Sequence, residues 1–528
     1  MRDVLERLAS RPLGGVLVFA AALVVYGLRA RGWPLTAGRD LDEYLYAYIQ
    51  LDDADPVLPW SLLFRTPVTP LVAGFALDML DGALAEIVMA LLFALSILCW
   101  SVAARTFGPW VALATALALL LYPAYGLLFH ELSSEPVFAT AFALLALLVV
   151  RAADSPSAGR WAGVGLGVAL CALVRPGNVV LLALVLLPLV LPGSLWDRLV
   201  RAAAVGLVAL VPLVGWTIHN GVRYDTWALA RGGNAVIPFY RAFISDRIVH
   251  PDNGPRSREL AEAIRRHLLV REPYRSYGVT LDDVFSSGSF RIHEDLYLLS
   301  DEVFGWETDY AILRDAGIEA VRAHPLAYAR GVAKTVWLQL SESLFRGQTQ
   351  PASRGAPVPA APRRGVLPEP SEGQPIPGGQ VVWISRPDNV IRQVWRSPTE
   401  FSFAFSDPSL RERFEAVVER RDELLGSFPD REPNATLALR LDQASRWFPR
   451  PIIFLVVGLV AIAWRRPRGS RALVALALAG LLVVLLNALG LFADRHFVLP
   501  VTPAFVLLGL GGLLGRRPDP SQSERQRT

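Results

Sequence analysis

Charge is scarce in this chain. Asp, Glu, Lys and Arg make up 19% of its 528 residues, against about 25% in soluble domains. Cysteine is scarcer still. Cys99 and Cys171 are the only two, and each lies within an apolar run, so no disulfide framework organises the fold and the redox compartment is not legible from them. Lysine is nearly absent: Lys334 is the single lysine among 52 basic residues, the rest being arginine. The formal net charge of +4 is small for this length, and the arginines gather at the ends of apolar runs, which argues against a nucleic-acid binder. What the chain has in abundance is apolar sequence, 53% of the total. Residues 81–150, 161–215 and 470–515 carry few charges. Runs near 20 apolar residues read as membrane spans. A soluble enzyme, a disordered chain and a small disulfide scaffold are thereby excluded.

Ten spans are expected, at about 13–30, 83–103, 109–128, 136–152, 161–175, 177–192, 199–218, 449–465, 471–492 and 496–515. The first follows Arg2, Arg7 and Arg11 without a small-residue cleavage site, and reads as an uncleaved anchor. With the N-terminus in the cytoplasm, the inner segments collect Arg105, Arg151, Arg160, Arg198, Arg201, Arg465, Arg466 and Arg468, as the positive-inside rule requires. Ten crossings return the C-terminus to the same side. The organisation expected is a transmembrane module 1–218, with a first outer loop at 31–82. Extracytoplasmic and interfacial helices at 219–350 come next, then a Pro/Gly-rich linker and insert at 351–448, and last the C-terminal helices and tail at 449–528.

The outer segments are not featureless. From Asp40 to Leu51, Leu41, Leu45, Tyr48 and Ile49 share one helical face, and Tyr44, Tyr46 and Tyr48 suit the headgroup level. Residues 66–80 are apolar but too short to span comfortably. Helix starts are expected at Ser257 and at Thr308, and Ser406-Asp407-Pro408 should open a charged helix to about Leu425. The stretch 326–345 is moderately apolar but holds Arg330, Lys334, Gln339 and Glu342; it reads as interfacial. Residues 351–379 read as a flexible linker.

Chemistry collects on the outer face. The first loop brings Asp40, Asp42, Glu43, Asp52, Asp53 and Asp55. The loop between spans three and four brings His130, Glu131 and Glu135. Arg175 lies between spans five and six, and Asp494, Arg495 and His496 precede the last span. Ionisable groups at the bilayer are costly and mark function by default. A carboxylate can take a proton from a hydroxyl nucleophile. Guanidinium groups match phosphate oxygens bidentately and stay charged. Together they fit transfer from a lipid phosphate donor to a hydroxyl. Each group also has an ordinary reading: Arg65 as a headgroup contact, Glu135 as an acid favouring a helix start, Asp494 as the mere partner of Arg495.

The order of these features resembles the GT-C superfamily of membrane glycosyltransferases, and within it the bacterial protein-mannosyltransferase and aminoarabinose-transferase group. The resemblance rests on Asp42-Glu43-Tyr44-Leu45-Tyr46-Ala47, Arg65-Thr66-Pro67-Val68-Thr69-Pro70, Ser134-Glu135-Pro136-Val137-Phe138 and Val174-Arg175-Pro176-Gly177-Asn178. It continues in His219-Asn220 with Gly232-Gly233-Asn234, Ala323-His324-Pro325-Leu326-Ala327-Tyr328 and Arg495-His496-Phe497-Val498-Leu499-Pro500. It covers about residues 10–345 and 449–515; the stretch 351–448 has no counterpart. The fold implied is all-α and polytopic, with about ten transmembrane helices, interfacial helices and a mainly helical extracytoplasmic region.

The resemblance also implies roles. Asp42, with Glu43 beside it, takes the place of the acid that acts as general base or orients the acceptor. Arg65, Arg175, Arg495 and His496 would hold the donor phosphate, with Arg65 where relatives often carry lysine and His496 where they carry tyrosine. Tyr46, His130, Glu131 and Glu135 would line the substrate. The donor implied is a polyprenyl-phosphate sugar, and the acceptor a hydroxyl on a glycan, glycolipid or protein. Transfer would occur on the extracytoplasmic face of the plasma membrane by one inverting displacement. No cofactor is expected, and no His/Asp cluster has metal-ligand spacing, although an acidic first loop leaves a divalent ion open. The competing reading is a transporter or flippase, which would place its charges near the bilayer midplane and show inverted repeats. Here the charges gather at one face and no repeat is visible.

Overall fold

The computed structural model describes residues 12–79, 82–342, 390–395, 401–428 and 431–516. The arginine flank before the first span, the linker at 351–379 and the tail beyond 516 lie outside the described residues. The chain is an all-α polytopic membrane protein. Helices α1 (Pro12–Ala30), α2 (Leu41–Ile49), α3 (Val68–Asp78), α4 (Ala83–Arg105), α5 (Pro109–Leu121), α6 (Ser134–Asp154), α7 (Ala158–Val174) and α8 (Leu195–Tyr224) make the N-terminal module. Among the described residues, seven helices are long and apolar enough to cross a membrane. Another results if α5 and Pro123–His130, bent by 67° at their junction, count as one span. The bend falls at Tyr122, whose extended backbone (φ −85°, ψ 97°) is what a following proline favours. The fifth and sixth expected spans correspond to shorter apolar helices, α7 and the 3-10 helix Pro176–Val190.

Close packing of these helices needs small residues, as is usual between helices in lipid. At Gly165 of α7 an added Cβ would press on the Val205 carbonyl and sit 3.1 Å from the Ala209 nitrogen of α8. Many of the large apolar side chains left exposed, such as Leu91, Leu207 and Val211, lie on candidate spans.

Beyond α8 a second core forms from Trp60, Phe239, Phe243, Leu260, Ile264, Leu296 and Leu313. Its helices include α9 (Phe290–Phe304) and α10 (Ala311–Ala323), whereas α11 (Pro325–Ser341), which follows, packs Val336 and Leu340 into the membrane module. Two buried arginines organise it. Arg231 stacks between Trp306 and Tyr310 and pairs with Asp301. Arg241 pairs with Asp246 at 2.9 Å and donates to Thr335 Oγ1 (2.9 Å), to the Ala488 carbonyl (2.8 Å) and to the Leu491 carbonyl (3.1 Å). It thereby ties this region to α11 and to the end of a C-terminal span.

Helix starts here differ from the sequence reading. The helix expected at Ser257 begins at Pro255, because Glu319 accepts from the Arg256 and Ser257 backbone and from Ser257 Oγ, which fixes that end from outside. Thr308 lies in a 3-10 turn, and α10 begins at Ala311. Asp309 accepts from the Gly232 amide at 2.6 Å and Tyr310 turns toward Arg231, so both residues hold positive φ instead of extending the helix.

The insert contributes an antiparallel hairpin, β3 (Ile391–Trp395) with β4 (Phe401–Phe405), that the sequence reading did not anticipate. Helix α12 (Pro408–Gly426) opens at Asp407, whose side chain accepts from Ser409 N at 2.8 Å. It lies against the first outer loop, with Arg413 beside Asp53 (3.6 Å) and Asp55 (3.1 Å) and Arg420 bonded to Asp78. Helices α13 (Ala435–Trp447), α14 (Pro451–Arg465), α15 (Ser470–Gly490) and α16 (Thr502–Leu514) complete the chain. The stretch at 326–345 is represented by α11, which is not among the span candidates.

Candidate active site

The site starts from a two-residue bridge. β1 (Thr36–Ala37) pairs in parallel with β2 (Glu131–Leu132), Thr36 opposite Glu131. The Gly38 amide donates to the Leu132 carbonyl at 3.0 Å. A Cβ on Gly38 would lie 2.7 Å from Ser133 Cβ and 2.9 Å from the Leu132 oxygen, so only glycine permits this approach. The bridge carries Arg39 and Asp40 to the loop that bears Glu131 and Glu135. Asp40 then takes a left-handed conformation (φ 59°) to turn the chain into α2.

Around this junction a chain of ion pairs assembles. Arg65 bonds Glu43 and lies 3.5 Å from Asp40. Arg39 lies 3.6 Å from Asp40. Arg175 donates to Glu135 at 2.7 Å, and Arg495 to Glu131 at 2.7 Å. His496 stands 3.8 Å from both Glu135 and Asp494. Phe497 joins the two halves, with the Arg39 guanidinium 5.4 Å and the Arg175 guanidinium 5.9 Å from its ring centre. Arg65 is held in turn over Tyr44 (5.1 Å) and Phe64 (4.9 Å). Among the described residues, three buried nitrogens of this ion-pair cluster have no hydrogen-bond partner: Arg39 Nη1, Arg65 Nε and His496 Nδ1. Buried N–H groups are rarely left so, and an anion entering here would satisfy them.

Burial sets the electrostatics. It pushes Glu43 up to about 7; Arg65 opposes the shift, while Asp40 and Glu294 add to it. Glu294, from α9, is pushed up to about 8 by burial and by Asp40, with Arg65 again opposing. Burial alone would lower the Arg65 guanidinium, but Glu43, Tyr44 and Asp40 outweigh it and raise it. Two carboxyls that lean toward the neutral form leave the cluster more cationic than its number of acids implies, which suits an anionic guest.

Of the residues singled out from sequence, the structure brings together Glu43, Arg65, Glu131, Glu135, Arg175, Arg495 and His496. It does not bring three others. Asp42 is exposed, on a different face of α2 from Glu43. Tyr46 is half-buried against α12, with the Arg421 guanidinium 5.0 Å from its ring. His130 is fully buried and stacks on Tyr26 at 4.3 Å, as a core side chain. The sequence reading missed Arg39 and Glu294 as site residues, and counted Asp40 among the acids of the first loop without giving it a role. Gly38 before Arg39-Asp40 was a usable signal, since a glycine there marks a close backbone approach; nothing local marked Glu294. Among the described residues, no three His, Cys, Asp or Glu side chains gather as metal ligands.

A mainly helical membrane protein with cations and acids from separate segments drawn into one cluster is thus defined. Residues 64–219 match the family model of the dolichyl-phosphate-mannose-protein mannosyltransferases. The matched stretch runs from the start of the Arg65 segment through most of α8. No curated protein matches the chain. Crystal structures of ArnT from Cupriavidus metallidurans align with it at 15% identity. The one bound to undecaprenyl phosphate covers 96% of this chain and 78% of its own at a TM-score of 0.35; the apo one covers 95% and 77% at 0.34.

Proposed function

We propose that this protein moves a sugar from a polyprenyl-phosphate donor to a hydroxyl acceptor at the extracytoplasmic membrane face, by a single displacement that inverts the anomeric carbon. The acceptor oxygen bonds to the anomeric carbon as the carbon–oxygen bond to phosphate breaks. The acceptor proton passes to a carboxylate, and the lipid phosphate leaves as an anion. The observation that carries this reading is the convergence of Arg39, Arg65, Arg175 and Arg495 with unsatisfied donors among them. Phosphate gains charge as its bond to sugar breaks, so fixed guanidiniums favour the transition state over the ground state.

Glu43 takes the base role in this proposal, in place of Asp42, because Glu43 faces Arg65 and its pKa lies near neutrality. A base poised near the working pH combines availability with driving force. Donor phosphate drawn to Arg65 competes with Glu43 for the guanidinium, which strengthens Glu43 as a base only when donor is bound. Arg175, Arg495 and His496 complete the phosphate site. Both termini face the cytoplasm in this arrangement. The test is incubation of purified protein with a panel of polyprenyl-phosphate sugars. Release of lipid phosphate with sugar transfer of inverted configuration supports the reading; no release from any donor removes it.

A further inference from the structure

The insert takes no part in the mechanism above, yet it is seated on the helix that carries the base. Ile391, Leu410 and Phe414 close over Val57 and Leu58 of the first outer loop, with Tyr46 of α2 at the edge of the same small core. Exposed ion pairs add little to such a contact, so the apolar core holds the insert down and the charges choose its register. Arg413 meets Asp53 and Asp55, and Arg420 bonds Asp78, the last residue of α3. Acids that crowd the first loop in sequence are thus taken up by the insert's arginines and not by the candidate active site.

Asp78 has a second partner. The Tyr48 hydroxyl donates to its other oxygen at 2.9 Å, so one carboxylate joins α12 to both α2 and α3. The Tyr48 ring lies so close on Gly74 of α3 that an added Cβ would collide with it. One turn earlier on the same face of α2, the Tyr44 ring centre lies 5.1 Å from the Arg65 guanidinium, and Glu43 beside it bonds Arg65. Arg65 leads into α3 through Thr66 and Pro67. One helix therefore meets one segment at two places. At the first, acid meets cation; at the second, Tyr48, Asp78 and Arg420 fix how far α2 stands along α3. A slip of one residue along the helix axis moves Glu43 by about 1.5 Å, and a misplacement of about 1 Å can cost about 100-fold in rate.

We propose that Arg420 of the insert is a positioning residue: through Asp78 and Tyr48 it sets the register of α2 on α3, and so the place of Glu43 against Arg65. The proposal rests on the reading of Glu43 as the base and deepens it. Arg420 itself touches none of the reacting groups. Glu423, one turn further along α12, steadies it at 2.7 Å. The insert thus acts on the reaction from outside the cluster, by holding the helix that bears the base.

The test uses the full chain in lipid nanodiscs with polyprenyl-phosphate sugars as donors, and amide hydrogen exchange across α2 as a readout independent of turnover. Arg420→Ala should lower kcat about tenfold and leave the donor KM within about twofold, as a partial loss of register would. Glu43 is faced by Arg65, Asp40 and Glu294. As α2 slips from Arg65, that carboxyl keeps its proton to higher pH, so the rate should rise at a more alkaline pH than in the wild type. Exchange over residues 41–49 should quicken about tenfold. Arg420→Lys should restore most of the rate. Gly74→Ala, which displaces Tyr48 without touching a charge, should reproduce the pH shift; Tyr48→Phe, at an exposed hydroxyl, keeps the test open where Gly74→Ala fails to fold. An Arg420→Ala enzyme with kcat, pH profile and α2 exchange unmoved, or one changed in melting temperature alone, overturns the proposal. If the wild type releases no lipid phosphate from any donor, the transfer reading fails, and exchange in α2 alone then decides whether Arg420 sets its register.

Discussion

Replacing Arg65 tests the proposed chemistry at its centre. The side chain bonds Glu43, lies 3.5 Å from Asp40 and is stacked by Tyr44 and Phe64. Arg65→Ala therefore removes a phosphate cation and also strips Glu43 of its partner. Loss of one preorganised charge-stabilising donor costs about 3–4 kcal/mol, or about 10²–10³ in kcat. The second consequence has a definite sign. Burial raises Glu43 to about 7 while Arg65 holds it down, so without Arg65 the carboxyl rises further and is more protonated at neutral pH. The variant's rate should climb into the alkaline range after the wild type has levelled off. Arg65→Lys keeps one charge but not the planar fork that serves two carboxylates and two rings, and should lose about tenfold. The assay is release of polyprenyl phosphate between pH 5.5 and 9. An Arg65→Ala enzyme within threefold of wild type, or one with an unshifted pH profile, would refute the reasoning.

Other outcomes follow from the same geometry. Glu43→Gln should cost at least about 100-fold in kcat, as loss of a general base does, and flatten the pH profile near 7, whereas exposed Asp42→Asn should stay within about threefold; side-by-side kinetics decide between them. Gly38→Val should break the β1–β2 approach and displace Arg39 and Asp40, lowering kcat with the protein still folded; donor titration and circular dichroism separate the two. Stability should fall as pH rises from 5 to 8, because the unfolded state releases the Glu43 and Glu294 protons near the usual carboxylate value while the folded state keeps them to about 7 and about 8; Glu294→Gln should shrink that fall in melting temperature. Arg241→Ala leaves Asp246 unpaired and should cost about 3 kcal/mol of stability, whereas Arg413→Ala, at an exposed pair, should cost less than about 1 kcal/mol.

Much of the fold was legible because the membrane simplifies the problem. Only runs near 20 apolar residues can span it, and the expected spans and the short helices α2 and α3 correspond to helices in the structure. The composition of the cluster was legible in part, since Arg65, Arg175 and Arg495 are ionisable groups at span ends. What stayed hidden depended on tertiary packing. Asp42 and Glu43 are neighbours in sequence but lie about 100° apart around α2. Which of them meets Arg65 is set by how α2 packs on α3 and α12, and no local pattern records it. His130 looked like a loop group, yet the chain bends at Tyr122 and carries it into the core against Tyr26. Glu294 comes from a helix some 250 residues after Glu43, and only the docking of the second core on the membrane module brings them together. The hairpin at 391–405 has alternating Phe401-Ser402-Phe403-Ala404-Phe405, a period-two signal that the sequence reading passed over.

The most direct measurement is an experimental structure of the protein in nanodiscs with a polyprenyl phosphate bound. The account predicts the phosphorus within salt-bridge reach of Arg65 and Arg39, with the Arg65–Glu43 bond loosened. A headgroup seated elsewhere, with the Arg65–Glu43 and Arg175–Glu135 pairs intact and no path for a lipid between them, would contradict it.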